Sequence, residues 1–146
     1  MPERSTIQRA REDAREGKSP STQAGEFVKE EFHHIREGKH GARSSKQAIA
    51  IGLSKARRAG VKLGTPKQGS PSLRRKAAQD SRAGQQRHRK TSSKRSRATS
   101  RALKRESKSS GSRQAISRQA RASAARRGKR ARSAAAHKAA RTRKAA

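Results

Sequence analysis

The densest apolar run of the chain lies between Ser44 and Gly60 and reads SSKQAIAIGLSKARRAG. Ser44 is a candidate N-cap, and Gln47 three residues later gives the spacing of a capping box. Gly60 suits the left-handed position that ends many helices. One helical face is predicted by the three- and four-residue spacing of Ala48, Ile49, Gly52, Leu53 and Ala56. Because Ile51 lies off this face, we expect the helix to bury more than one side.

A second helix is predicted upstream, where Ser19 can act as N-cap and Pro20 suits the first helical position. Its apolar face consists of Ala24, Phe27, Val28, Phe32 and Ile35. A short turn bracketed by Gly38 and Gly41 follows, so residues 20–60 are predicted to form an antiparallel helical hairpin. This hairpin has few large apolar residues. We therefore expect it to need the first helix, a second copy of the chain or another partner for stability.

Residues 3–16 form the third predicted helix, which ends at Gly17. Its apolar stripe is narrow, with only Ile7, Ala10 and Ala14. We favour a solvated surface helix with ion pairs along it, for example between Arg9 and Asp13 four residues apart. The alternative is that it docks against the next helix.

Composition limits how much of the chain can fold around a core. The 146 residues include 41 Lys and Arg but only 10 Asp and Glu, a net charge of +31, and only two Phe with no Tyr or Trp. Residues 67–146 hold 27 of the basic and 2 of the acidic residues, a net charge of +25. So few large side chains are insufficient to offset the ordering entropy of the whole chain. So large a charge also indicates a polyanionic partner.

These patterns predict an all-α protein with a small helical head and a long disordered basic tail. The head comprises residues 1–63 and the linker residues 64–72. Residues 73–112, rich in Ser, Arg and Lys, are expected to be disordered. Residues 113–146 are rich in the helix formers Ala, Arg and Lys, and we expect them to become helical when phosphates neutralise their mutual repulsion, with Gly128 as a break.

The basic clusters of the tail are the strongest functional signal, because recurring Lys and Arg track a phosphate backbone and release its counterions. The candidate nucleic-acid-binding residues are Arg74, Arg75, Lys76, Arg87, Arg89, Lys90, Lys94, Arg95, Arg97, Arg126, Arg127, Lys129, Arg130, Arg132, Arg141, Arg143 and Lys144. The tail lacks aromatic side chains for stacking on single strands. We therefore favour sequence-independent binding of DNA, with a homodimer through the head as a way to pair two tails.

Two alternatives stay open at this point. One is an RNA- or ribosome-associated protein, since basic extensions without aromatic residues suit RNA as well as DNA. The other is an adaptor whose head binds a protein while the tail anchors it. We favour DNA over RNA as the nucleic-acid partner.

Other classes of function have little support in the sequence. No phosphate-binding Gly-rich loop or nucleophile elbow is present, so we expect no enzyme. The absence of cysteine excludes disulfides and Cys-based zinc sites. His33, His34 and His40 are metal ligands by type, but no suitably placed acid is evident beside them, so we favour solvent-facing or turn-packing roles and expect no metal and no cofactor. No apolar stretch is long enough to span a membrane, no secretory signal is evident, and we expect no membrane partner.

Residues 24–60 resemble a family of small bacterial and phage proteins of unknown function. The resemblance is carried by a helix that ends near Lys39-His40-Gly41 and by the following stretch Lys46-Gln47-Ala48-Ile49-Ala50-Ile51-Gly52-Leu53-Ser54-Lys55-Ala56. It implies a bacterial, cytoplasmic setting and brings no activity, cofactor or catalytic residue. The tail is similar in composition to the tails of linker histones and bacterial histone-like proteins, which implies a location at the nucleoid.

Overall fold

The computed structural model describes residues 1–67, 69–86 and 92–144. Within these ranges the secondary structure is entirely helical, as the sequence predicted. The α-helices are α1 (Arg4–Arg15), α2 (Pro20–Arg36), α3 (Ser45–Arg58), α4 (Pro71–Gln85), α5 (Ser93–Lys104), α6 (Arg113–Arg126) and α7 (Gly128–Lys144), and a 3₁₀ helix spans Lys108–Gly111. None of the helices in the described ranges combines the length and the apolar character that crossing a bilayer requires.

The predicted hairpin of α2 and α3 is confirmed and forms the centre of the fold. Small residues on α3 lie against large residues on α2, so the two helices share two apolar clusters. The first cluster contains Ala10, Ala24, Phe27 and Ala56. The second contains Phe32, Ile35, Ala42 and Ala48. Val28 and Ile49 pack around the second cluster, and Leu53 packs around the first.

The closest approach between the hairpin helices is at Gly52, which lies directly opposite Val28. A Cβ atom at Gly52 would be only 2.7 Å from the Val28 Cα and 2.9 Å from its Cγ2. The obstructing atoms include backbone, so a side chain at this position would push the helices apart. Glycine at position 52 is therefore required by the packing distance between α2 and α3.

Serine caps begin both helices of the hairpin, as predicted. The backbone N–H of Thr22 donates to Ser19 Oγ at 3.4 Å, and that of Gln47 donates to Ser44 Oγ at 3.3 Å. The second half of the predicted capping box differs, because Gln47 Oε1 accepts from the backbone N–H of Arg43 at 2.8 Å rather than from Ser44. Gly60 has the left-handed conformation predicted for it, with φ of 96°.

Helix α1 docks onto α2. Of the two predicted arrangements, a solvated helix and a docked helix, the structure therefore shows the docked one. Thr6 and Ala10 are buried in this contact. Arg9 does not pair along α1 with Asp13 but reaches across to Glu26, with Nε 2.7 Å from Oε2. The narrow apolar stripe of α1 is sufficient for docking because Ala10 allows close packing on α2. Part of the packing that the hairpin needs for stability thus comes from the same chain.

Helix α4 packs on the opposite side of α3, although residues 64–72 were predicted as a linker and residues 73–112 as disordered. Ala77 is buried at this contact, and the Asp80 carboxylate is 3% exposed. Ser54 Oγ donates to Asp80 Oδ2 at 2.7 Å, and Lys76 Nζ donates to Oδ1 at 3.1 Å. This arrangement was not predicted, because α4 attaches through an alanine and a buried carboxylate rather than through large apolar residues.

The 3₁₀ helix and α6 also contact the hairpin, at the end where α2 turns into α3. Ser45 Oγ donates to the buried carbonyl of Ser110 at 2.7 Å, and Ile116 packs on the second apolar cluster. The backbone N–H of Gly41 donates to the carbonyl of Leu103 at 2.9 Å. Packing around the hairpin therefore extends beyond the predicted end of the head at residue 63.

The structure does not show the disordered tail that composition predicted, since α4 to α7 occupy most of residues 71–144. Three of these helices begin with a serine cap, at Ser70, Ser92 and Ser112. Their sequences are rich in Ala, Arg and Lys, which have high helix propensity. Local propensity and capping thus produce helices where the lack of large apolar residues had indicated none.

A pair of glycine substitutions tests the close packing of the hairpin. We expect Gly52→Ala to lower the free energy of unfolding by about 1–3 kcal/mol, because the added methyl group overpacks against Val28. Gly25→Ala is the matched control, since it lies within α2 with nothing within 4 Å of an added Cβ. It should raise stability by about 0.5–1 kcal/mol through helix propensity. Urea denaturation of both full-length variants gives the measurement, and equal effects would contradict the packing argument.

Candidate nucleic-acid interface

Every predicted nucleic-acid-binding residue that the structure describes is exposed. These residues are Arg74, Arg75, Lys76, Lys94, Arg95, Arg97, Arg126, Arg127, Lys129, Arg130, Arg132, Arg141, Arg143 and Lys144. Arg87, Arg89 and Lys90 lie outside the described residues. The exposed groups are distributed over α4, α5, α6 and α7 rather than gathered in one pocket.

Helix α5 carries the most regular arrangement of positive charge. Lys94, Arg97, Arg101 and Lys104 follow one another at intervals of three, four and three residues, which places them on one helical face. We call these four residues the cationic row. With a rise of 1.5 Å per residue the row extends about 15 Å, or roughly four base-pair steps of a duplex. No residue of α5 is buried, so the row is open to solvent along its length.

Lys94 and Arg97 were predicted from the sequence, but Arg101 and Lys104, which complete the row, were not. Clustering was the signal used, and these two residues stand outside the dense run of basic residues. A search for Lys and Arg at helical spacing would have found them. It would also have found Arg118 and Arg121 on α6, which are three residues apart and exposed and which clustering did not select.

Helix α7 is exposed over its whole length and has basic residues near both ends. The predicted break at Gly128 is present as a residue of positive φ (74°) between α6 and α7. Lys129, Arg130 and Arg132 lie just after this break, and Arg141, Arg143 and Lys144 lie in the last turn, where cations interact favourably with the helix dipole. Helix α7 contacts α6 but adds no buried residue, so its surface is available to a ligand.

Ion pairs between basic residues and carboxylates are common in the head but not in the helices from α5 onward. In the described part of the chain, no carboxylate lies within 4.0 Å of a Lys or Arg of α5, α6 or α7. Residues 92–144 contain 19 Lys and Arg and one acid, Glu106, whose carboxylate lies 3.9 Å from Arg43 in the loop before α3. On α4, by contrast, Lys76 is paired with Asp80. The uncompensated positive field is therefore strongest from α5 onward.

The histidines agree with the sequence expectation in part, since His33 faces solvent and His40 lies in the turn after α2. His33 is exposed and pairs with Glu37, with Nε2 2.8 Å from Oε1. His34 and His40 instead face a group of head carboxylates that includes Glu31. Hydrogen bonds from His34 and Lys39 lower the pKa of the Glu3 carboxyl group. The expectation that no acid lies near these histidines was wrong, because Glu31 and His34 are one helical turn apart and the loop after α2 returns His40 to them.

Among known proteins, sequence similarity to this chain is found in the hairpin region. Residues 17–68 match a family of unknown function (DUF6496), a segment that covers α2, α3 and the loop between them but less than half of the chain. No curated protein and no solved structure matches the chain. The match agrees with the resemblance found in the sequence, and it leaves the cationic helices outside the matched segment.

A double substitution in the cationic row tests its contact with phosphate. We expect Arg97→Ala with Arg101→Ala to weaken binding to all DNA sequences equally. It should also make the slope of log affinity against log salt shallower by about 2, roughly one unit for each lost phosphate contact. Lys46→Ala with Lys62→Ala removes the same charge from exposed positions of the hairpin region and is the matched control. Fluorescence anisotropy over a salt series measures both, and equal slopes for the two variants would contradict the assignment.

Proposed function

We propose that this protein binds double-stranded DNA without sequence preference, as a histone-like, nucleoid-associated protein acting through phosphate contacts. The observation that carries the proposal is the cationic row of α5, an exposed line of four Lys and Arg residues with no carboxylate nearby among the described residues. Lys and Arg aligned over about 15 Å can follow a phosphate backbone. A binding role, rather than catalysis, is what such a surface supports.

Residue types favour contact with phosphates over contact with bases. Residues 92–144 contain no Phe, Tyr, Trp or Asn, and most of their polar side chains are Ser, Lys and Arg. Without aromatic rings these residues lack the stacking platforms that single-strand binders use. Without Asn they also lack one of the side chains that read adenine bidentately in the major groove. Charge attraction to a duplex backbone is the interaction that remains.

We further infer that α5 to α7 are only partly populated without nucleic acid, in keeping with the disordered basic tail expected from composition. None of these three helices contains a buried residue, and of the three only α6 packs on a hairpin helix, where the partly buried Ile116 contacts the second apolar cluster. Helices of 12 to 17 residues gain little stability in water without tertiary packing, and close like charges oppose them. Phosphates that neutralise this repulsion would favour the helical state.

The homodimer expected from the sequence belongs to the same proposal. Two heads in contact would bring two sets of basic helices to one duplex and raise their effective concentration there. The packing partners of the hairpin found in the same chain, namely α1, α4 and α6, reduce the need for a second copy. Among the described residues α7 contacts only α6, so a dimer through the head would leave α7 exposed to the duplex.

The choice of nucleic acid is tested by competition at matched salt. Full-length protein is bound to a labelled DNA duplex of mixed sequence and challenged with unlabelled duplex DNA, structured RNA and single-stranded DNA. We expect duplex DNAs of different sequence to compete equally and better than either single strands or RNA. Preferential displacement by structured RNA would instead support the RNA-associated alternative, and absence of binding at low salt would refute both.

Circular dichroism tests the coupling between helix formation and binding. We expect the helical signal of the full-length protein to rise when duplex DNA is added, because α5 to α7 gain helical population on phosphate. Substituting Ala135→Gly and Ala139→Gly in α7 should weaken DNA binding by lowering helix propensity, at about 1 kcal/mol per residue, without removing any charge. An unchanged helical signal at saturation would contradict the coupling.

A further inference from the structure

A compact group of buried polar side chains lies where α2, the following loop and α3 meet. Glu31, His34 and His40 each offer one ligand atom, and these atoms all lie within 4.8 Å of one another. The Glu31 side chain is 0% exposed, and those of His34 and His40 are 11% and 16% exposed. None of the Lys and Arg residues of the proposed DNA interface belongs to this group.

One nitrogen of each imidazole is hydrogen-bonded to a group outside these three residues, and the carboxylate or carbonyl oxygen there can only accept. His34 donates from Nε2 to Glu3 Oε1 at 2.9 Å, which leaves Nδ1 with a lone pair. His40 donates from Nδ1 to the carbonyl oxygen of Gly41 at 3.0 Å, which leaves the lone pair on Nε2. In each ring the other nitrogen is the one that can bind a cation.

The free nitrogen of His40 faces an oxygen that also lacks a donor. His40 Nε2 lies 3.3 Å from Glu31 Oε1, and this oxygen is buried without a hydrogen-bond partner. A proton on His40 Nε2 would make this contact an ion pair, whereas a ring without that proton leaves two acceptors that need a cation between them. Two ligand atoms bound to a tetrahedral zinc ion at about 2.0–2.1 Å are themselves roughly 3.3 Å apart. The separation of this one pair matches that of two ligands of a shared zinc ion.

The charges around the cluster point the same way. The carboxylates of Glu30 and Glu31 are both buried, and Glu30 Oε2 has no hydrogen-bond partner. Lys55 Nζ donates to Glu31 Oε2 at 2.5 Å and compensates one of the two charges. Glu30 Oε1 accepts from the backbone N–H of Glu3 at 3.0 Å and lies 3.7 Å from His34 Nε2. Buried charges are normally paired or bound to metal, so either protonated imidazoles or a cation in the cluster must balance the second carboxylate.

We propose that Glu31, His34 and His40 form a zinc site that joins α2 to the loop preceding α3. Two imidazoles and one carboxylate are a ligand set typical of Zn²⁺, and Mg²⁺ or Ca²⁺ would instead require mainly oxygen ligands. Glu3 holds the outer nitrogen of His34 and Lys55 holds the second oxygen of Glu31, as carboxylates and hydrogen-bonding groups behind metal ligands commonly do. A bound ion would stabilise the folded head by mass action.

Zinc retention by the full-length protein tests this site. The protein is stripped with a chelator, incubated with excess ZnCl₂, desalted and analysed for metal by mass spectrometry. We expect one zinc ion per chain, a higher thermal unfolding midpoint with zinc than without, and visible d–d absorption of four-coordinate type when Co²⁺ replaces Zn²⁺. If the wild-type protein retains no stoichiometric zinc after desalting, the proposal is refuted, whatever the variants do.

Variants locate the ion once the wild-type protein retains it. His40→Ala and His34→Ala should bind zinc at least about tenfold more weakly and lose the Co²⁺ spectrum. His33→Ala is the matched control, because this exposed histidine is adjacent in sequence and pairs only with Glu37 among the described residues. It should keep both zinc and spectrum. Retention of zinc by His40→Ala, or equal loss from His33→Ala, would place the ion elsewhere and overturn the assignment.

Discussion

The contact between α2 and α3 at Gly52 is the constraint on which the rest of the structure depends. The absence of a side chain at this position lets the α3 backbone approach Val28, and the alanines at 48 and 56 continue the same close contact in both directions. At this separation Phe27 and Ile35 on α2 become completely covered. Every other element that packs, namely α1, α4, the 3₁₀ helix and α6, is placed against one of these two helices.

The hairpin could be predicted from the sequence because its signals are local and its apolar residues recur at one period. Serine caps, the terminal Gly60 and the stripe on α3 each specify the same helix. Helix α4 could not be predicted in this way. It binds through Ala77 and through a buried Asp80 that accepts from Ser54, and neither residue type is distinguishable in a sequence from its many exposed counterparts. Whether such small and polar residues pack depends on the shape and hydrogen-bonding groups of the surface opposite them, here that of α3. That surface cannot be read from the sequence of α4.

The candidate sites also differ in whether they could be predicted from the sequence. Exposed basic residues were identified from composition, because the function proposed for them depends on charge and accessibility rather than on exact partners. The grouping of Glu31 with His34 and His40 was missed, because it depends on how the loop after α2 returns to the helix. Glu31 and His34 share a helical face, which the sequence does indicate, but the position of His40 follows only from the turn at Gly38 and the bonding of Gly41.

The backbone bonds that tie Gly41 and Ala42 to Leu103 and Ser107 have a mechanical consequence. Helix α4 is fixed to α3 ahead of α5, and the last turn of α5 and the segment after it are fixed to the loop between α2 and α3. The cationic row therefore lies in a segment that is attached to the hairpin region on both sides, not in an extension with a free end. Tension from a polyanion lying along α5 would be divided between two separate attachments, so neither the α4 contact nor the loop contact would have to resist the whole force alone.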